Sequence, residues 1–183
     1  MLRPVHFLCD PLSESGNQER EQRVRKNGPR SSSIRIIGLG NDLRGDDAVG
    51  LLTVRRLRQT IGDRAEVIEA GMVGVDLIEL MKGASVVILI DGARGGKAPG
   101  SVYRLDASVS QIGGQVFPRS SHAIGVSEAI ELARAMDVLP ATVIAYGVEV
   151  GNTELGQPLS PPMGEALDHV VKRIIQECEA CHA

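Results

Sequence analysis

Short apolar runs, each stopping at a glycine or a polar turn, alternate along this chain with segments whose apolar side chains recur every three or four residues. The first run, Ile34-Arg35-Ile36-Ile37-Gly38-Leu39, stops at Gly40-Asn41, as a buried strand with a tight exit turn would. A helix is predicted next, with Asp47, Gly50, Leu51, Val54 and Leu57 on one face and Arg55, Arg56 and Arg58 mostly off it. Residues 66–70 read as a second strand. Gly74, Leu77, Ile78 and Met81 repeat at helical spacing and give a second helix. Residues 85–90 form the most apolar strand and end at Asp91-Gly92. After a glycine-rich loop, residues 101–105 suit an edge strand, 121–136 a third helix and 141–148 another buried strand. The last helix opens at Ser160-Pro161, a capping residue followed by a first-turn proline, and turns Met163, Ala166, Leu167, Val170 and Ile174 inward. Strands alternating with helices predict an α/β fold of three layers. Its sheet is mostly parallel and twisted, with helices on both faces, one antiparallel edge strand and the order 2-1-3 at its centre.

Composition agrees with this pattern. Aromatic residues are only 2% of the 183, so the core is built from Val, Ile, Leu and Ala, as buried parallel strands are. Residues 10–33 break the pattern, with Leu12 and Val24 as their sizeable apolar side chains, too few to offset the entropy of ordering. Residues 1–33 are therefore expected to be a disordered leader or a start assigned too far upstream, and 34–180 one α/β domain. Residues 1–32 carry six basic and four acidic side chains against fourteen and nineteen in the rest, which makes the expected folded body the acidic part. The net charge of −3, without a basic stripe, points away from nucleic acid, and no stretch has the length of a membrane span. The patch Val5-His6-Phe7-Leu8 is too short for a signal peptide, and Cys9, Cys178 and Cys181 make no disulfide framework. A cytoplasmic protein is expected.

In an open parallel sheet, ligands bind beyond the carboxyl ends of the strands. The 38–41 turn and Asp91 both fall at that edge. Asp47, opening the helix after the turn, shares its inward face and should project into the crevice. Asp46 is about 100° away around a helix and better suits a solvated or capping role. His122 opens the third helix on a face with Gly125, Val126, Ala129, Leu132 and Ala133, and should face the same edge. Two carboxylates and an imidazole converging there would suit a divalent transition metal with open coordination positions. Taken singly, each has an ordinary explanation: an acid at a helix start, an acid in a turn, a satisfied core histidine.

These residues also carry a family resemblance. Residues 38–50, GLGNDLRGDDAVG, resemble the opening signature of the hydrogenase maturation endopeptidases, G-x-G-N-x-L-x-x-D-[DE]-x-x-G. Ile88-Leu89-Ile90-Asp91-Gly92-Ala93 is similar to their second motif, Ser120-Ser121-His122-Ala123-Ile124-Gly125 to their Ser-x-His-x-x-Gly box, and Gly156-Gln157-Pro158-Leu159-Ser160 to the loop before their last helix. Order and spacing agree from about Ile34 to Ile175. The resemblance implies a phosphorylase/hydrolase-like fold and an aspartic-type, nickel-dependent endopeptidase. Such an enzyme removes a C-terminal propeptide from the precursor of a nickel-containing hydrogenase large subunit. Asp47, Asp91 and His122 would be its catalytic and metal-binding residues, recognising nickel carried by the substrate or a surrogate divalent ion. No other cofactor is implied. The partner is the precursor, and a monomer is expected. Asp47 stands where many members have Glu, and Gly147-Val148-Glu149-Val150 matches only loosely.

Other readings carry less. A dinucleotide fingerprint would need glycine at position 43, which is Leu43. Cys178-Glu179-Ala180-Cys181-His182 spells a haem-attachment motif, but Cys178 also follows Ile174 on the last helix's apolar face. An accessory metal site from Cys178, Cys181 and His182 stays open. Ser120 and Ser121 adjoin His122 but do not face it as a nucleophile faces its base. A free-standing zinc peptidase would need its own metal. The alternative from a different class is a non-catalytic nickel-binding or chaperone-like protein using the same three ligands.

Overall fold

The computed structural model describes residues 33–109, 119–120 and 125–181; the expected leader and His122 lie outside the described residues. Among the described residues, six strands, β1 (Ile34–Leu39), β2 (Glu66–Gly71), β3 (Val86–Arg94), β4 (Val102–Asp106), β5 (Arg119–Ser120) and β6 (Thr142–Glu149), form one sheet in the order β2-β1-β3-β6-β4, with β5 paired to β3. β1 runs parallel to β2 and β3, and β3 parallel to β6, while β4 closes the edge antiparallel to β6. The expected 2-1-3 order and the antiparallel edge strand are both present.

Among the described residues, four α-helices cover the two faces: α1 (Val49–Arg58), α2 (Asp76–Met81), α3 (Val126–Ala135) and α4 (Pro161–Ala180). Alternation along the strands sorts the core into two halves. Ile34, Ile36, Val86, Ile88, Ile90, Ile144 and Tyr146 pack under Val49, Val54 and Leu57 of α1 and Met163, Val170, Ile174 and Cys178 of α4. Ile37, Leu39, Val87, Leu89, Val143 and Ala145 pack under Leu77, Ile78 and Met81 of α2 and Val126, Ala129, Ile130 and Ala133 of α3. α1 fits onto β1 because Gly38 and Gly50 meet there: a Cβ on Gly50 would stand 2.2 Å from the Leu39 carbonyl oxygen and 2.5 Å from that of Ile90. Burial of Cys178 in this core pushes its thiol up to about 11 and accounts for its place on α4 by packing alone.

Several expectations need correction. β3 does not end at Asp91 but runs on to Arg94, because β6 keeps pairing with it through Ala93↔Glu149 and β5 joins it at Ala93. Asp47 is not in an α-helix; it sits in a 3₁₀ turn, Gly45–Ala48, ahead of α1. α3 begins at Val126 behind an extended Gly125, later than the expected start near Ser121. Leu132 is exposed, and Ile130 takes the inward position instead. Among the described residues, no helix is long and apolar enough to cross a membrane.

Candidate active site

The sheet's carboxyl edge is stepped. β1 pairs with β3 only as far as Gly38↔Ile90, whereas β3 and β6 continue together for three further residues. The 3₁₀ turn fills the step. Its fit depends on glycine: Gly40 has φ +131, and a Cβ there would lie 1.9 Å from the Asp47 carbonyl oxygen, which accepts the Asn41 amide at 3.2 Å. Asp47 is buried, and its Oδ1 lies 3.6 Å from where a Cβ on Gly92 would stand. Asp91, the residue before that glycine, is buried as well. The fold therefore brings Asp47 against the Asp91-Gly92 stretch of β3, at the edge where ligands of parallel sheets bind. The third expected ligand, His122, is outside the described residues, and no three of His, Cys, Asp and Glu come together among those that are described.

Asp46 is not solvated. It is fully buried, and its carboxylate accepts three backbone amides: Gly151 and Asn152 at Oδ2, both at 2.9 Å, and Ser160 at Oδ1, at 2.8 Å. Burial pushes the Asp46 carboxyl up, but the Ser160, Asn152 and Gly151 amides outweigh it and hold the group below its ordinary value of 3.8. The helical angle that separated Asp46 from Asp47 does not apply across a 3₁₀ turn with both residues inside the protein. Nor was this clamp visible in the sequence, since its donors lie 105 to 114 positions away.

Glu149 is the other buried acid at this edge. It accepts the Gly95 and Gly96 amides at 2.8 and 3.0 Å and the Tyr103 hydroxyl at 2.6 Å, anchoring the glycine-rich loop after β3. Burial acts to raise its carboxyl, but Tyr103 and the two amides outweigh it and hold the group below its ordinary value of 4.5. Burial and the facing Glu149 push the Tyr103 hydroxyl up to about 12. One signal was available: Glu149 is the single charged residue closing the apolar run from 141 to 150. Arg94, at the end of β3, donates to the Thr153 hydroxyl at 2.6 Å and ties the strand to the loop after β6. Asn41 makes an Asx turn through its Oδ1 to the Leu43 amide, at 2.9 Å, which is the turn chemistry its position calls for.

Buried carboxylates supplied by a tight turn and by the adjoining strand are suited to holding a cation or a proton in a place shielded from water. Comparison with known proteins gives this arrangement a context. A family model described as hydrogenase maturation protease (HycI) matches residues 51–177. The hydrogenase expression/formation protein HupD of Thiocapsa roseopersicina is 24% identical over 147 residues, covering 78% of this chain and 66% of that protein. The chain thus spans just under two thirds of that relative's length. The hydrogenase 2 maturation protease of Escherichia coli (strain K12) is 25% identical over 146 residues, 78% of this chain and 88% of that protein. Among solved structures, the hydrogenase maturating endopeptidase HybD from Escherichia coli superposes with a TM-score of 0.67 at 22% identity, over 81% of this chain and 93% of that one. A NiFe hydrogenase maturation protease, HycI from Thermococcus kodakarensis KOD1, gives 0.64 at 19% identity, over 86% and 99%. The structural likenesses establish a shared fold.

Proposed function

The chain belongs to the hydrogenase maturation protease family, and from that premise we propose that it is an endopeptidase that removes a C-terminal peptide from the precursor of a nickel-containing hydrogenase large subunit. The observation that carries the reading is the approach of Asp47, on its 3₁₀ turn, to Gly92 beside Asp91 at the carboxyl edge of the sheet. In this reading Asp47 and Asp91 offer carboxylate oxygens and His122 an imidazole nitrogen to nickel already held by the precursor. The metal is then part of the substrate, and it marks a precursor as ready for cutting. Oxygen and imidazole donors with open positions left for the substrate's own ligands suit such sharing of a divalent ion.

The surroundings fit a protein substrate. Leu43 and Leu155 are exposed on loops joined by the hydrogen bond from the Gly156 amide to the Leu43 carbonyl, at 2.8 Å. Met72, also exposed, lies beside Asn41, whose side-chain amide reaches its sulfur at 3.7 Å. Large apolar side chains gathered in solvent at one edge mark contact surfaces for other proteins.

The test is incubation of purified protein with a large-subunit precursor, followed by intact-mass measurement. Loss of a single C-terminal peptide is the expected result. A precursor left whole by a protein that binds nickel tightly would replace this reading with the non-catalytic nickel-binding one.

A further inference from the structure

Asp46 makes more hydrogen bonds than a turn needs. Oδ1 takes the amide of Ser160, the residue that caps α4, and so places a negative charge at the amino end of a twenty-residue helix, where the dipole favours it. Ser160 makes no side-chain capping bond of its own. Oδ2 takes two amides from a different segment, Gly151 and Asn152. The backbone adds a fourth tie, from the Asp46 amide to the Asn152 carbonyl at 2.9 Å. Gly45 permits this closeness: its φ is +52, and a Cβ there would stand 2.5 Å from the Asn152 carbonyl oxygen. A helix cap would need only the Ser160 bond. Attachment to two segments fixes the orientation of the turn as well as its place.

The next peptide is the one that carries Asp47. Its carbonyl is gripped from the other side by the exit of β1, through the Asn41 amide and the close approach of Gly40. We propose that Asp46 is a positioning residue, whose anchoring to the 151–152 turn and to the start of α4 sets where the Asp47 carboxylate stands relative to Asp91. The inference rests on the reading of Asp47 as a site residue given above. It gives the two adjacent acids of this chain separate tasks: Asp47 faces the substrate while Asp46 is turned inward and holds it in place. Asparagine at position 46 cannot replace the carboxylate, because its NH₂ group would face amide donors in place of an acceptor oxygen.

The test compares wild type, Asp46→Asn and Glu177→Gln. The last removes a carboxylate from a network with Arg104 and Tyr146 away from the carboxyl edge, and controls for lost stability. Asp46→Asn is expected to lower kcat for the precursor about 100-fold, the usual cost of a displacement near 1 Å, and to move KM by less than about threefold. Its crystal structure should show the Asp47 carboxylate shifted relative to Gly92. An unmoved Asp47, or a kcat equal to that of Glu177→Gln, overturns the proposal. If Asp46→Asn does not fold, Gly151→Ala presses on the same anchor from the other side, with its Cβ 3.2 Å from Oδ2, and should shift Asp47 in a smaller degree. A wild-type protein that leaves the precursor whole would overturn the proposed activity instead, and the displacement of Asp47 alone would then decide the anchoring.

Discussion

Buried carboxylates at the carboxyl edge and carboxylates on the surface of this protein are held by different partners. At the edge, Asp46 and Glu149 are buried and bound by backbone amides, five between them, with one tyrosine hydroxyl. On the surface, Glu66 is held by Arg35 and Glu69 by Arg55 and Arg58, pairs in which at least one partner stands well out in solvent. An amide belongs to the chain and keeps its direction; an arginine on a flexible stem, in water and salt, does not. The edge is thus built where geometry must be kept, and the surface where only charge must be balanced.

The largest expected effects are on activity at the edge. Asp91→Ala and His122→Ala should each abolish precursor cleavage while circular dichroism shows a folded protein; normal cutting by either variant removes that residue from the site. The close packing behind the edge comes next. Gly50→Ala forces a Cβ against the carbonyls of Leu39 and Ile90 and should cost about 1–3 kcal/mol, as overpacking does. Gly164→Ala on α4, with nothing within 4 Å, should gain about 0.5–1 kcal/mol, and equal melting temperatures for the two would undo the packing argument.

Acid acts on both groups, since Arg55 also holds the surface Glu69 below its ordinary value. Asp46 and Glu149 both titrate below their ordinary values of 3.8 and 4.5, so folding favours their ionised forms. Their contribution is complete above those ordinary values and is lost as pH falls through the lower values of the folded state. Urea midpoints should therefore drop below about pH 4. Glu149→Gln should cost about 1–3 kcal/mol at neutral pH and flatten that acid limb. The smallest effect belongs to the surface: Glu66→Ala, which removes the exposed partner of Arg35, should cost less than about 1 kcal/mol, and that cost should shrink in high salt. A Glu66 contribution larger than that of Glu149 would reverse the comparison.

How much of this was legible follows from the range of the forces involved. Strand and helix types, the 2-1-3 centre and the antiparallel edge could be read because local periodicity records which face is buried. The meeting of the turn that carries Asp47 with the Asp91-Gly92 stretch of β3 was legible too, from topology. The path of β3 beyond Asp91 was not, since it depends on pairing with β6 some fifty residues on. Of the solvated or capping role expected for Asp46, the capping part is met at the start of the last helix. The burial was not legible, because the partners at Gly151, Asn152 and Ser160 are distant in sequence and a helical wheel assumes an α-helix where the chain makes a 3₁₀ turn. Leu132 followed the same wheel inward, and Ile130 took the place.

The central claim is that Asp47, Asp91 and His122 read nickel in the substrate before the chain is cut. Its most direct test sets nickel-loaded precursor beside nickel-free precursor, with the same purified protein and intact-mass detection over time. The account predicts one C-terminal peptide lost from the loaded form and none from the free form. Equal cleavage of both would contradict it and would leave a peptidase whose site does not sense the metal.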